Sequence, residues 1–307
     1  MSFLGGLVVE GGVFLCADEA EVRDGAIGTS DIEKIRSIRD CAVGYVGDST
    51  YGNGVLDVFI ESLILNDDIS GFNRHMEELA RAHGGCYNAK FQRVYLDPYG
   101  VQLKDLLRGR TDLDKSLEQE LLKSYRDVRK NFNSEFLLAG FNKEENRFEI
   151  GTLFPGDKEH VAVSEYQRHT GYFVIGKGHE IADAYIDSAL RALSTGHPPR
   201  HLGARVLVDA MEEVKDNQRE KAVAGDAHLF YLNNDGVHQY PKNVGSAIAV
   251  ISKLQTPGGV ISDKRARTAF RDLINQEDPE KVAMDLPQGA RDKMFLELVL
   301  RRGKYFG

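Results

Sequence analysis

The chain has 307 residues, of which 42% are hydrophobic and 28% are charged, as is typical of a globular protein with a sizeable core. Its formal net charge of −8 argues against a bulk nucleic-acid binder, because neutralising phosphates requires a clustered basic surface. No apolar run approaches the roughly 20 residues that cross a bilayer, so we expect no membrane partner.

Cysteine usage and the first residues indicate a reducing, cytoplasmic location. Cys16, Cys41 and Cys86 form no C-x-x-C pair, so neither a disulfide framework nor a zinc cage is indicated. Cys16 and Cys41 lie in apolar runs, where we expect small buried hydrophobic side chains. The amino terminus lacks a basic segment and carries Glu10 in its apolar part, unlike a secretory signal. We expect no metal and no cofactor.

The first fifty residues have the pattern of short strands. Residues 6–9 and 12–16 are apolar and flank Glu10-Gly11, a plausible hairpin turn. Residues 34–38 and 41–46 read as a second pair of strands around another short turn. A polar segment separates the two pairs, and no element is predicted there.

Blocks of helices and strands follow one another through the rest of the chain. Apolar residues at helical spacing predict helices at residues 54–65, 68–82, 112–132, 179–193 and 202–214. Short apolar runs between turn signals predict strands at residues 91–95, 100–103, 136–141, 147–154, 172–176, 227–232 and 237–240.

The order of these blocks predicts an α+β fold. Strands, two helices, strands, two helices and strands suit two sheets stacked face to face with helix pairs outside, a four-layer αββα sandwich. Beyond about residue 245 the Pro and Gly positions no longer fit this plan. We therefore predict a domain at residues 2–244 and a C-terminal extension at residues 245–307.

One stretch of the sequence, GLVVEGGVFLCADEAEVRDGAIGTSDIEKIRSI, resembles the opening of proteasome β-subunits and of the bacterial HslV protease, which are N-terminal-nucleophile (Ntn) hydrolases. In that family a Thr, less often a Ser or Cys, becomes the first residue of the mature chain. Three further residues follow: an Asp after an apolar run, a Lys that starts the next strand pair, and a Gly at the end of that pair. The matching residues are Ser2, Asp18, Lys34 and Gly47, and the spacings from nucleophile to Asp and from Asp to Lys match the family. Weaker similarity near Gly140 and Gly176 extends the resemblance over roughly residues 2–240.

The resemblance implies a nucleophile that carries its own base. A serine hydroxyl reacts poorly until a base removes its proton, and an α-amine with an ordinary pKa near 8 is partly available for that task at neutral pH. The family pattern gives Ser2 this role once Met1 is removed. Lys34 would favour the neutral amine, Asp18 would hold the Lys34 ammonium, and a backbone N–H at Gly47 would stabilise the oxyanion.

The sequence departs from the family near its last strands. The family has a second Asp and a Ser before a Gly, whereas here Ala224 precedes Gly225 where the Ser is expected. The Asp corresponds to Asp216, or to Lys221 in a shifted alignment, and we do not assign it. Without the resemblance, Asp18 and Lys34 would be interpreted as an ion pair at a strand end, and Gly47 as a turn residue.

Four further positions are predicted to line the substrate pocket if the alignment holds: Glu21, Ile32, Tyr45 and Ser49. Two other motifs are weaker. The segment 176–180, GKGHE, lacks the spacing of a phosphate loop and favours a strand-to-helix turn. The segment 197–201, HPPRH, carries two histidines, but its prolines favour a surface loop over a metal site.

These patterns together predict a cytoplasmic hydrolase that cleaves a peptide or other amide through an acyl-enzyme on Ser2. We expect a homo-oligomer and no nucleic-acid partner. The sequence does not indicate whether an unfoldase binds the protein. Two alternatives remain. The first is an inactive structural subunit of the same fold, and the second is an amide ligase or transpeptidase in which an amine replaces water.

Overall fold

The computed structural model describes residues 2–23, 26–29, 34–127, 134–154, 165–194, 197–217, 223–255, 260–275 and 278–303. Within these ranges the chain is a mixed α+β protein with ten α-helices, two five-stranded antiparallel sheets and a separate two-stranded hairpin. None of the described helices combines the length and the apolar character needed to cross a bilayer.

The first sheet is built from both ends of the chain. Its strands are β1 (Phe3–Val9), β2 (Gly12–Ala17), β10 (Tyr172–Gly176), β11 (His228–Asn233) and β12 (Gly236–Gln239). Their order across the sheet is β10-β1-β2-β11-β12, so β1 lies between β10 and β2. Every residue of β1 is buried, as expected of a strand covered on both faces.

The second sheet comes from the middle of the sequence, and its strands follow one another in chain order. They are β5 (Ile35–Ile38), β6 (Cys41–Gly47), β7 (Ser134–Asn142), β8 (Arg147–Phe154) and β9 (Glu165–His169). The small hairpin consists of β3 (Ala20–Arg23) and β4 (Ala26–Thr29).

In the described part of the chain, four α-helices precede β7, two lie between β10 and β11, and four follow β12. The first group is α1 (Ser49–Leu65), α2 (Phe72–Phe91), α3 (Leu103–Leu107) and α4 (Lys115–Arg126). The second is α5 (His179–Leu193) and α6 (Arg200–Asn217). The third is α7 (Lys242–Leu254), α8 (Asp263–Ile274), α9 (Pro279–Met284) and α10 (Gln288–Gly303).

Three hydrophobic clusters hold these elements together. One lies between the sheets, where Leu4 and Leu15 of the first sheet join Leu137 and Ile150 of the second. A second cluster joins the opposite face of the second sheet to α1 and α2, and a third joins the opposite face of the first sheet to α5–α10. Alternate residues of β1, β2, β6 and β7 therefore enter different clusters, as the two-residue period of a strand requires.

The C-terminal helices share the core of the first sheet. Val244, Ile248 and Ile251 of α7 belong to the same cluster as Phe14 of β2 and Leu207 of α6. The helix is buried on most of its surface because α8 and α10 also pack against it. A domain limit at residue 244 stays a prediction.

Most predicted elements are confirmed, and the structure corrects the rest in three respects. The predicted strands at residues 91–95 and 100–103 are wrong: α2 runs on to Phe91 and continues as a π-helical turn, Gln92–Leu96. Tyr87 and Phe91, one helical turn apart, are both fully buried, so packing favours helix here. The Gln92 side chain binds the backbone of the segment that follows this turn: its amide nitrogen donates to Val101 O at 2.8 Å, and its amide oxygen accepts from Leu103 N at 2.7 Å.

The other two corrections concern the ends of elements and missed strands. The helix predicted at residues 112–132 is shorter at both ends: Asp114 caps its start, and it ends at Arg126, before the non-helical Asp127. Residues 128–133 lie outside the described part. The hairpin of β3 and β4 and the strand β9 were not predicted, because strands of four or five residues are too short for a clear periodic pattern.

We expect the cluster between the sheets to dominate stability. Ile150→Ala removes a side chain that is 0% exposed, and should lower the free energy of unfolding by about 2–5 kcal/mol. Ile64→Ala changes the same residue type at a site that is 64% exposed, and should alter it by less than about 0.5 kcal/mol. Urea denaturation of both variants measures the difference, and equal losses would contradict this account of the core.

Candidate active site

A cleft of about 320 Å³ opens where the end of β1 meets the ends of four other strands. It is lined by Ser2, Val46, Gly47, Glu135, Phe154, Phe173, Val174, Ile175, Gly176, Lys177 and His179. The lining is apolar along one wall, with charged side chains of both signs near Ser2. Two of the four predicted catalytic residues, Ser2 and Gly47, therefore lie at one cleft.

The other two, Asp18 and Lys34, form a buried ion pair directly behind the cleft. Lys34 Nζ lies 2.7 Å from Asp18 Oδ1, and the two side chains are 9% and 0% exposed. The same oxygen accepts the backbone N–H of Phe3 at 2.9 Å, and Asp18 Oδ2 accepts the N–H of Ala224 at 3.3 Å. A buried carboxylate is tolerated when such partners compensate its desolvation. Asp18 therefore fixes the peptide unit that follows Ser2.

Ser2 is held from the other side by β10. Its carbonyl accepts the N–H of Lys177 at 3.1 Å, which extends the ladder between β1 and β10 by one residue pair. Gly176 makes this approach possible: its φ is +96°, and a Cβ there would lie 2.0 Å from Ser2 O. Only a glycine fits such a position without displacing the Ser2 backbone.

Gly47 ends β6 at the mouth of the cleft, with φ at +115°. Tyr45 N donates to Lys34 O at 3.3 Å, so this edge of β6 faces β5. Because N–H directions alternate along a strand, the N–H of Gly47 lies on the same edge, beyond the start of β5 and away from β7.

The loop at residues 223–227 takes the position where the family resemblance implies a supporting Ser. Its Ala224 has no hydroxyl and contributes its backbone, because its N–H binds Asp18 and its carbonyl accepts Glu19 N at 3.2 Å. Gly225 packs so closely on Glu19 that a Cβ would lie 2.7 Å from the Glu19 Cβ. Asp216 is an exposed residue of α6, and Lys221 lies outside the described residues.

A second buried carboxylate, that of Glu19, supports this loop, and it was not predicted from the sequence. Glu19 accepts Asp226 N at 3.3 Å, contacts the His228 ring and lies 3.4 Å from Lys242 Nζ. Beyond it, Lys215 bonds to the carbonyl of Gly225. The sequence does contain a signal for this contact: Asp18 and Glu19 are adjacent and follow an apolar strand. If both carboxylates are buried there, both need hydrogen-bond partners.

Lys215 belongs to a third buried carboxylate group. It lies 2.7 Å from Glu212 Oε1, and Lys253 Nζ of α7 lies 3.0 Å from Glu212 Oε2. The C-terminal helices are therefore connected to the loop by two ion pairs, Lys253–Glu212 and Glu212–Lys215, and by the hydrogen bond from Lys215 to the Gly225 carbonyl.

Two of the four predicted pocket residues, Tyr45 and Ser49, are not brought to the cleft. The Tyr45 ring lies in the helix-facing core, 6.3 Å from the ring of Phe136, and its hydroxyl donates to Ser49 O at 3.4 Å. Neither Tyr45 nor Ser49 lines the cleft, because odd positions of β6 point to the helices. Ile32 and the Glu21 side chain lie outside the described part.

The remaining candidates have structural roles. The segment 176–180 is a strand-to-helix turn in which Gly178, at φ +78°, caps α5. His197 contacts Thr170 O at 3.1 Å, and among the described residues no group of three metal-ligating side chains occurs. Cys16 and Cys41 are buried, and their desolvation raises both thiol pKa values, which makes them poor nucleophiles.

A comparison of the chain with protein-family models and with curated proteins gave no match.

The close approach of Gly176 to Ser2 gives a direct test of the geometry. Gly176→Ala should lower the free energy of unfolding by more than the roughly 1–3 kcal/mol of a strained φ, because the added Cβ also overlaps Ser2 O. Gly236→Ala is the matched control, with φ at +124° and no atom within 4 Å of the added Cβ. Denaturant titration compares the two; equal losses would show that the Ser2 carbonyl does not constrain residue 176.

Proposed function

We propose that this chain is an N-terminal-nucleophile hydrolase that cleaves peptide or other amide bonds through an acyl-enzyme on Ser2. The architecture is consistent with the four-layer αββα sandwich of that class, since one core lies between the two sheets and a helix-covered core lies on each outer face. Fold alone does not carry the function, which rests on the site.

One observation carries the proposal: Asp18 Oδ1 accepts both Lys34 Nζ, at 2.7 Å, and the N–H of Phe3, at 2.9 Å. The N–H of Phe3 belongs to the peptide unit that follows the candidate nucleophile Ser2. Here the carboxylate couples the lysine to that peptide unit, and Ser2 itself lines a cleft. The Lys34 charge, which binds the same carboxylate oxygen as the Phe3 N–H, would favour the neutral α-amine of Ser2 over its ammonium.

The proposed reaction needs the chain to begin at Ser2. The Ser2 α-amine takes the hydroxyl proton while Oγ attacks the carbonyl carbon of the amide. The oxyanion that forms accepts a hydrogen bond from the Gly47 N–H. Breaking the C–N bond returns the proton to the leaving amine and leaves an ester on Ser2. Water, deprotonated by the same α-amine, then hydrolyses the ester and releases the acid.

The backbone at Ala224 takes part in this arrangement by positioning Asp18. Because its N–H reaches Asp18 Oδ2 at 3.3 Å, both carboxylate oxygens have partners, and the side chain is fixed from two sides. Loss of the family's serine at this position therefore leaves the support of Asp18 in place. A transpeptidase would use the same residues, with an amine instead of water in the second step.

We expect labelling to identify Ser2 as the nucleophile. A small β-lactone should acylate the wild type and Ser2→Thr once, and Ser2→Ala not at all, because Thr keeps a hydroxyl beside the α-amine. Lys34→Met should cut the labelling rate at least tenfold, since it removes the ammonium but keeps most of the side-chain volume. Intact mass spectrometry gives the adduct and shows whether Met1 is absent, and circular dichroism checks that each variant is folded.

Two results would overturn the proposal. One is an adduct on any other residue, and the other is labelling of Ser2→Ala at the wild-type rate. Retention of Met1 on reactive protein would exclude the α-amine as the base. A folded wild type that never reacts would favour the inactive structural subunit.

We also propose that the chain forms a homo-oligomer, as the family resemblance implies. Light scattering at micromolar concentration should give a mass of several chains. A single-chain mass across the concentration range would contradict this part of the proposal and leave the chemistry of Ser2 untouched.

A further inference from the structure

The cleft beside Ser2 contains a histidine to which the proposed reaction gives no role. His179, the first residue of α5, lines the same cleft as Ser2 and Gly47. The residue is exposed, so its ring can contact a molecule that enters the cleft. In the sequence it belongs to the segment GKGHE, which favoured a strand-to-helix turn and suggested no chemistry for the histidine.

A single peptide unit connects this histidine to Ser2. The unit joins Gly176 to Lys177. Its N–H, on Lys177, donates to Ser2 O at 3.1 Å, and its C=O, on Gly176, lies 3.2 Å from His179 Nδ1. A peptide unit is planar, and in the trans form its N–H and C=O point in opposite directions. The Ser2 backbone and the imidazole are therefore held at the two ends of one rigid group.

The contact with Gly176 also determines which nitrogen of the ring carries a proton. A carbonyl oxygen accepts hydrogen bonds and cannot donate, so Nδ1 is the donor in this contact. In a neutral imidazole with its proton on Nδ1, the other nitrogen, Nε2, is an acceptor. Among the described residues, none donates a hydrogen bond to Nε2. His179 therefore offers one acceptor atom to a molecule in the cleft.

The other polar side chains of the described cleft lining are less suited to this task. Lys177 carries an ammonium, which donates hydrogen bonds and has no lone pair with which to accept one. Glu135 can accept, but it lies on β7 of the second sheet, opposite Val46 of β6. His179, by contrast, combines an accepting atom with a fixed connection to the Ser2 backbone.

The second step of the proposed reaction needs such an acceptor. Water that attacks the ester on Ser2 must direct a lone pair at the carbonyl carbon, so both of its hydrogens point elsewhere. The α-amine of Ser2 accepts one of these hydrogens. An acceptor for the other hydrogen fixes the orientation of the water, and orientation of a reacting group changes rates by large factors.

We propose that His179 is a catalytic residue of the second step, in which Nε2 accepts a hydrogen bond from the attacking water and directs it at the ester on Ser2. The water oxygen bonds to the carbonyl carbon while the α-amine takes one proton. The bond between that carbon and Oγ then breaks, Oγ receives the proton from the α-ammonium, and the acid leaves. His179 ends the step unchanged. The inference deepens the proposed function, on which it rests for the ester on Ser2.

The test uses 4-nitrophenyl acetate, which separates the two steps. Acetylation of Ser2 releases nitrophenolate in a burst, and hydrolysis of the acetyl ester then limits the steady rate. Ser2→Ala measures the background of both phases. In His179→Asn the side-chain amide can still donate to Gly176 O, but no atom replaces Nε2. We expect a burst rate within twofold of the wild type and a steady rate at least fivefold lower.

Two further measurements accompany the rates. Intact mass spectrometry should show more acetyl adduct on His179→Asn than on the wild type. Hydroxylamine, a nucleophile that needs no activation by a base, should remove this adduct, because it is an ester. His197→Asn is the matched control: His197 also contacts a backbone carbonyl, that of Thr170, but does not line the cleft. Both of its rates should stay within twofold of the wild type.

The outcomes separate the two proposals. A steady rate in His179→Asn that falls less than fivefold would overturn the inference and leave the hydrolase proposal standing. A burst that slows as much as the steady rate would also overturn it, since His179 would then act on the shape of the site and not on water. An adduct that resists hydroxylamine would be an amide on the α-amine, with the same consequence. Absence of any nitrophenolate release that depends on Ser2 would overturn the proposed function itself, and the inference with it.

Discussion

The buried carboxylate of Asp18 is the interaction on which the rest of the site depends. It joins three parts of the chain that are far apart in sequence: the start of β1, the residue before β5 and the loop before β11. A charge at 0% exposure is stable only while its partners stay in place, and removing one partner of a buried pair costs about 3–5 kcal/mol. Burial of the charge costs desolvation energy, and the hydrogen bonds that compensate this cost fix the position of the backbone next to Ser2.

Two further buried carboxylates with basic partners lie next to the Asp18 site. Glu19 and Glu212 are also buried carboxylates with basic partners, and each contacts the loop at residues 223–227 directly or through Lys215. Three carboxylates in succession connect β2, the loop, α6 and α7. The C-terminal helices thus support the loop that positions Asp18, which gives residues beyond 245 a physical connection to the site.

Regular elements were predictable because their periodicity follows local packing. The helix at 179–193 and the strands at 147–154 and 172–176 are confirmed to the residue. The family resemblance implied the pairing of Asp18 with Lys34. Glu19 with His228 could not be foreseen, because 209 residues separate them and either could have been exposed. The cleft wall was missed for a similar reason: nothing in a run of apolar residues distinguishes Phe173 from a core residue.

The position of β1 inside its sheet has a consequence for the order of events during synthesis. Its neighbour β10 begins more than 160 residues later, and Ala224 follows Asp18 by 206 residues. At a ribosomal rate of about 5–20 residues per second, the first strand waits roughly 10–40 seconds for these partners. The groups around Ser2 therefore come together only after residue 224 has been synthesised, so a shorter nascent chain lacks the contacts that fix Asp18.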